Sequence, residues 1–285
     1  MELEVDQAKL NFETHGNPKN SPLVLWHGAG CTLRMWDNVI PGLVGKFHVV
    51  TFDIRGAGKS LNFDDSEDVF SFEKYSEDLN HLLRHLKIGK FNLWSMAWGT
   101  RAALAYSSLH SDKILSAVFS DASIASADVE AQRKGLKKAM ARQESMGIKK
   151  FELPKGWNVH INKKNADLSL TAAAKFNLDQ AVSSISYPFL VMTGDHDPNL
   201  TSSKDIVNRS ASGNLKILDD VGHGSVLQRP DLVLENFLSW HNLESLHTFC
   251  SYPESSNEFS ARPKESLPVQ WLPQLQHQTQ SALLD

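Results

Sequence analysis

Two cysteines, Cys31 and Cys250, among 285 residues are too few for a disulfide framework and lack the spacing of a cysteine-based metal site. Both are expected to be ordinary thiols. No apolar run is long enough to span a bilayer, and the opening MELEVDQ is acidic and alternating where a secretory leader is basic and then apolar. A cytoplasmic address without a membrane partner is therefore expected. A phosphate cradle is missing too, because Gly56-Ala57-Gly58-Lys59-Ser60 lacks the first glycine of G-x-x-x-x-G-K-[ST]. No motif requires a metal or an organic cofactor, and none is expected. Positive charge is scarce overall, with 29 Lys and Arg against 33 Asp and Glu. It gathers between Arg133 and Lys164, where ten basic residues face only Glu144 and Glu152. With no recognised nucleic-acid motif in it, that stretch does not point to nucleic acid; it reads as a solvated helical face that could also favour anionic small-molecule substrates.

What is present suffices for a full core: 41% of the residues are hydrophobic. Short apolar runs at residues 22–27, 47–53, 90–95, 114–120, 188–194 and 214–220 read as strands. Helical spacing runs between them over residues 33–44, 71–86, 99–109, 202–209 and 230–240. Apolar strands alternating with helices predict a mostly parallel sheet covered on both faces, with its site at the carboxyl ends of the strands. From about residue 123 to 186 the rhythm is lost in Lys- and Ala-rich helical sequence broken at Pro154-Lys155-Gly156, which predicts a helical cap. After residue 241 the composition shifts again, with Pro253, Pro263, Pro268 and Pro273 among Ser and Gln, and residues 242–285 are expected to be a disordered tail.

Five strand ends carry polar words. The first ends in His27-Gly28-Ala29-Gly30, the second in Asp53-Ile54-Arg55-Gly56-Ala57-Gly58-Lys59-Ser60. Alone, each is a glycine turn beside a sheet. A third gives Ser95-Met96-Ala97-Trp98-Gly99 between a buried strand and a helix of small residues. Later come Gly194-Asp195-His196-Asp197-Pro198 and Val221-Gly222-His223-Gly224-Ser225, the latter followed by Arg229-Pro230-Asp231. An isolated Asp-Pro is a turn signal before it is anything else.

In order and spacing these words resemble the α/β-hydrolase superfamily over roughly residues 3–240. That family carries an HGxG-type loop, a D-x-R-G-x-G-x-S turn, and a strand-elbow-helix of the form G-x-S-x-G. The resemblance implies an α/β-hydrolase fold with core segments 1–122 and 187–241 and a cap, residues 123–186, inserted before the acid-bearing strand. Leu86, Leu93 and Gly99-Thr100 fix the register, which puts Ala97 at the nucleophile and Ser95 at the first small residue. A frame with Ser95 as nucleophile needs glycine where Leu93 stands. The resemblance further implies Asp197, rather than Asp195, as the acid, with Asp121 as a second possible acid. It implies His223 as the base and the N–H groups of Ala29 and Trp98 as the oxyanion hole. The Trp98 ring itself could wall an acyl pocket or pack beneath the cap.

Without a hydroxyl at position 97 no acyl-enzyme can form. Loss of the nucleophile from such a triad costs about 10⁶ in rate. The implied activity is hydrolysis of a small carboxylic ester or lactone, inert or diverged in this chain. Two further readings stay open: a ligand-binding protein that keeps the pocket, or an enzyme using His223 as general base without a nucleophile. Dehalogenases and epoxide hydrolases of this fold carry aspartate at the position and H-G-x-P in the loop, where this chain has HGAG.

Overall fold

The computed structural model describes residues 1–64 and 66–242. The expected tail after residue 242, with Cys250, lies outside the described residues. Nine strands form one sheet: β1 (Glu2–Val5), β2 (Ala8–His15), β3 (Ser21–Trp26), β4 (Phe47–Phe52), β5 (Leu61–Asn62), β6 (Phe91–Met96), β7 (Ile114–Ser120), β8 (Phe189–Gly194) and β9 (Gly213–Leu218). Their order is β1-β2-β4-β3-β6-β7-β8-β9, with β5 on β2. From β4 to β9 every pairing is parallel, while β2 pairs antiparallel with β1, β4 and β5.

The helices are α1 (Ile40–Leu43), α2 (Phe72–His85), α3 (Trp98–His110), α4 (Val129–Ser145), α5 (Lys163–Leu168), α6 (Leu178–Ser183), α7 (Leu200–Asn208), α8 (Ser225–Gln228) and α9 (Pro230–Trp240). Between β7 and β8 the described chain holds α4, α5, a 3₁₀ stretch at Ser169–Lys175 and α6, and no strand. On α4, Lys134, Lys137, Lys138 and Arg142 are exposed, which accounts for much of the basic stretch as a wetted face.

Alternate residues of each central strand serve opposite core layers, as the two-residue period of a strand requires. Val24 and Trp26 of β3 pack with α2, α3 and α6, whereas Leu23 and Leu25 pack with α9 and the residues around Trp36. In β8, Phe189 and Val191 divide from Leu190 and Met192 in the same way. On the second face the Trp94 ring stacks on Phe237 at 4.4 Å. Burying a side chain of this size contributes roughly 1.5–3 kcal/mol, so both layers hold helices firmly against the sheet. Ala102, Ala103 and Ala105 let α3 lie close.

Two sequence readings are corrected. The antiparallel strands β1, β2 and β5 were not expected, although Ala8, Leu10 and Phe12 are buried in strict alternation on β2. The helix expected over residues 33–44 is a 3₁₀ turn at Leu33–Trp36 followed by the single turn α1. Pro41, in the first turn of the second piece, lacks the N–H that would bond back to the first, so one helix cannot run through it.

Candidate active site

The carboxyl ends of six parallel strands bring His27, Asp53, Ala97, Asp121, Asp197 and His223 to one edge of the sheet. At the elbow Ala97 has φ 51° and ψ −116°, a conformation costly for any residue with a Cβ. The turn is held because the Ala97 N–H donates to the Ser120 carbonyl at 2.8 Å and its carbonyl accepts from Thr100 N–H at 2.9 Å. Gly99 is required next to it: a Cβ there would run into the His27 and Trp26 carbonyls where α3 passes the end of β3. Trp98 opens α3, so its N–H has no acceptor within the helix. Its indole packs on Phe72 and Tyr75 and donates Nε1–H to the Leu170 carbonyl at 3.2 Å, tying the elbow to the insertion. Ser95 lies within β6, buried, its Oγ 3.1 Å from the Thr100 hydroxyl.

The glycine turn after β3 abuts the elbow, since a Cβ on Gly28 would stand 3.7 Å from that of Ala97. Buried His27 fixes the turn through both nitrogens. Nε2 accepts the Ile54 N–H at 3.2 Å, which leaves the proton on Nδ1 to donate to the Gly28 carbonyl at 2.9 Å. Burial pulls the His27 pKa down, against the field of Asp53, and so favours this neutral ring. Asp53 binds the neighbouring segments together: Oδ1 accepts from Leu33 N–H at 2.7 Å, and Oδ2 from Lys59 N–H at 2.9 Å and Asn11 Nδ2 at 2.8 Å. Arg55 of the same turn makes a two-bond pair with buried Asp78, both bonds at 2.7 Å, and so belongs to the scaffold. Burial pushes the Cys31 thiol up to about 12, as an unreactive thiol requires.

Asp197 and His223 meet. The ring Nδ1–H donates to Asp197 Oδ2 at 3.1 Å, while Oδ1 accepts from Asn199 N–H at 2.9 Å. The Asp197 side chain is sealed from solvent, and His223 keeps Nε2 as its second ring nitrogen. Asp195 is exposed and accepts the Val221 N–H instead. Asp121 also reaches the histidine loop, but through the backbone: its Oδ2 accepts the N–H groups of Gly224 at 2.8 Å and Ser225 at 2.7 Å. Its Oδ1 is buried without a hydrogen-bond partner among the described residues. Burial and the repulsion of Asp197 hold the Asp121 pKa well above the carboxylate range, offset in part by His223 and by Ser225. For His223, burial opposes protonation, but the charge and hydrogen bond of Asp197, with the charge of Asp121, outweigh it and raise the pKa.

Several contributors carry no sequence signal of their own. Gln228 clamps the histidine loop, accepting the Gly222 N–H at 3.1 Å and donating to the carbonyls of Gly222 at 3.0 Å and His223 at 2.6 Å. The α4 helix packs on the same loops, because a Cβ at Gly135 would strike the His196 carbonyl and one at Gly222 the α4 backbone at Leu136. Two groups among the described residues have the spacing to hold a metal ion: Asp121, Asp197 and His223, and Asp195, His196 and Asp220. In the first the carboxylates already serve the histidine and its loop; in the second Asp220 is shared with Arg142 at 3.2 Å. No helix of the described residues is long and apolar enough to cross a membrane.

Residues 21–144 match the family model described as alpha/beta hydrolase fold. A proline iminopeptidase of Xanthomonas citri is 34% identical over 104 residues, which are 35% of this chain and 32% of that protein. One of Arabidopsis thaliana is 33% identical over 115 residues, 38% of this chain and 28% of that protein. The matched segment thus spans about a third of the length of these curated relatives. Among solved structures, an enol-lactonase from Burkholderia xenovorans aligns at TM-score 0.70 and 21% identity, covering 85% of this chain and 100% of that one. An esterase from Thermogutta terrifontis aligns at TM-score 0.66 and 20% identity, covering 82% and 93%. Both structural likenesses are of fold.

Proposed function

From the match of residues 21–144 to the α/β-hydrolase family model, we propose that the chain is a hydrolase of small carboxylic esters or lactones whose nucleophile position is filled by Ala97. The observation that carries the reading is the sealed Asp197 bonded at 3.1 Å to His223 at the same sheet edge as the elbow. Residues 123–186 act as the cap that selects the substrate.

With serine at 97 each atom has a place. The Oγ–carbonyl bond forms while His223 Nε2 takes the hydroxyl proton, and Asp197 holds the Nδ1–H and steadies the cation. The N–H groups of Trp98 and Ala29 receive the negative charge on the carbonyl oxygen, each worth on the order of 3 kcal/mol of barrier. His223 then returns the proton to the departing alkoxide, and water repeats the sequence to free the acid. Ala97 supplies no attacking atom, so no acyl-enzyme forms although Asp197 and His223 are in place, and the rate left to this chain rests on binding and the oxyanion groups. Such remnants give roughly 10³–10⁴ over water.

The identity with proline iminopeptidases favours a second reading, in which the bond cleaved is the amide after an N-terminal proline. The same groups would serve it, with an amine as leaving group.

Replacing Ala97→Ser and assaying short p-nitrophenyl esters, lactones and prolyl p-nitroanilide separates these. Ester or lactone turnover should rise by several orders of magnitude over the parent, with covalent labelling by a fluorophosphonate. Turnover of the anilide alone would transfer the site to peptides, and no gain on any of the three would end the hydrolase reading.

A further inference from the structure

The insertion delivers one imidazole that the chemistry above does not use. His160 stands between two turns of the sheet edge: its Nδ1 accepts the Gly58 N–H at 2.8 Å and its Nε2–H donates to the Gly30 carbonyl at 3.2 Å. The surrounding strap is bound to the same two turns. Ile161 N–H donates to the Gly58 carbonyl at 2.8 Å, Thr32 N–H to the Trp157 carbonyl at 2.7 Å, and the Thr32 hydroxyl to the Gly156 carbonyl at 2.9 Å. The orientation of the strap runs against apolar burial, since Val159 and Ile161 are 64% and 65% exposed while the polar ring between them points inward. Trp157 packs inward on the core, but at Val159–Ile161 the hydrogen bonds, and not the apolar side chains, decide which face is turned in.

We propose that His160 is a positioning residue for the His27–Gly30 turn, tethering the Gly30 carbonyl to Gly58 so that the adjacent Ala29 N–H stays aimed at the reacting carbonyl, and that it does so only as the neutral ring protonated on Nε2. The proposal rests on the reading of Ala29 as an oxyanion donor. A proton on Nδ1 would set two donors, the ring N–H and the Gly58 N–H, against each other and break the tether. Asp53 and His27 face the ring from the strand ends, and Lys163 and Asp167 face it from α5. Burial is the largest influence and lowers the His160 pKa, so the tether holds at neutral pH and loosens on acidification. The Asp53 carboxylate is already engaged by Leu33, Lys59 and Asn11.

Two substitutions separate the parts of this tether. His160→Asn keeps an acceptor for the Gly58 N–H but cannot titrate, and His160→Phe keeps neither bond. Amide hydrogen exchange of residues 28–32 and 58 in the full chain reads the tether without any turnover. Followed downward from pH 7.5 to 4, the parent should lose protection about tenfold on the acid side of the ordinary imidazole range, His160→Phe should be unprotected to that degree throughout, and His160→Asn should show no such step. In the Ala97→Ser protein, adding His160→Phe should lower kcat about tenfold with KM within twofold, a fraction of the 10²–10³ lost with a whole donor. Protection in the parent that does not change with pH, or a His160→Phe protein that is protected like the parent, overturns the proposal; so does an unchanged kcat. If Ala97→Ser has no activity at all, the ester reading fails, and the exchange data alone decide the role of His160.

Discussion

At position 97 the backbone is strained whichever small side chain it carries. A residue with a Cβ at φ 51° and ψ −116° costs about 1–3 kcal/mol relative to an ordinary region, and glycine escapes most of that while losing roughly 0.5–1 kcal/mol in chain entropy. Ala97→Gly should therefore raise stability by about 1 kcal/mol, visible as a melting temperature a few degrees higher by calorimetry; a lower one would mean that the elbow is relaxed. Strain kept where no nucleophile sits shows that the turn is imposed by its neighbours, Ser120, Thr100 and Gly99, and not by the chemistry. The two carboxylates by His223 have separable effects. The folded pKa of His223 lies above its unfolded value of about 6.5, so its contribution to stability is full below that value and is lost as pH rises through the folded pKa. Asp121→Asn keeps an acceptor for the Gly224 and Ser225 N–H groups but removes one negative charge. The His223 pKa read by NMR titration should fall, narrowing that window; an unmoved titration would mean that Asp121 acts on the loop backbone alone. The sequence makes visible the placing of Ala97, Asp197 and His223 at strand ends, because each sits in a short word with a turn residue beside it. Gln228, Asn199 and His160 act through hydrogen bonds to distant backbone, and no local pattern encodes such a partner.

Among the elements, the central strands could be read because each is a short apolar run bounded by polar residues, and α9 begins and ends where its spacing says, at Pro230 and Trp240. The polar alternation of β2 gave a weaker signal, half of its residues facing water, and Pro41 interrupted what looked like one helix. The helix α4 is the least legible element of all, since its fit to the site rests on two glycines that meet other segments. Gly135→Ala would gain up to about 1 kcal/mol of helix propensity on an open surface. Here its Cβ meets the His196 carbonyl, a backbone atom that cannot swing aside. The variant should lose stability in urea unfolding, with a lower midpoint; a higher midpoint would show that α4 rides loosely over the loop after β8.

Over the whole molecule, the insertion is fastened at both sides of the sheet edge. The strap near His160 holds the turns after β3 and β4. On the other side, Gln143 donates to the Asp220 carbonyl at 2.7 Å, and α4 lies on the loops after β8 and β9. Between them Tyr75 donates to the Ser169 carbonyl at 2.7 Å and Trp98 to that of Leu170. An insertion held at so many points has little to unfold on its own, and heat or urea should melt the insertion and the sheet together. Far-UV circular dichroism and tryptophan fluorescence should then trace one coincident transition; an earlier step seen by only one probe would mark the insertion as an independent unit. At the far side of the sheet, β9 has no strand beyond it among the described residues, and Lys216 and Ile217 stand exposed there. A bare row of backbone donors and acceptors is a template on which another chain can grow, and a lysine on that rim must lose its water before a neighbour can dock. Lys216, exposed on that rim, thus sets a desolvation cost against any strand that would extend the sheet past β9.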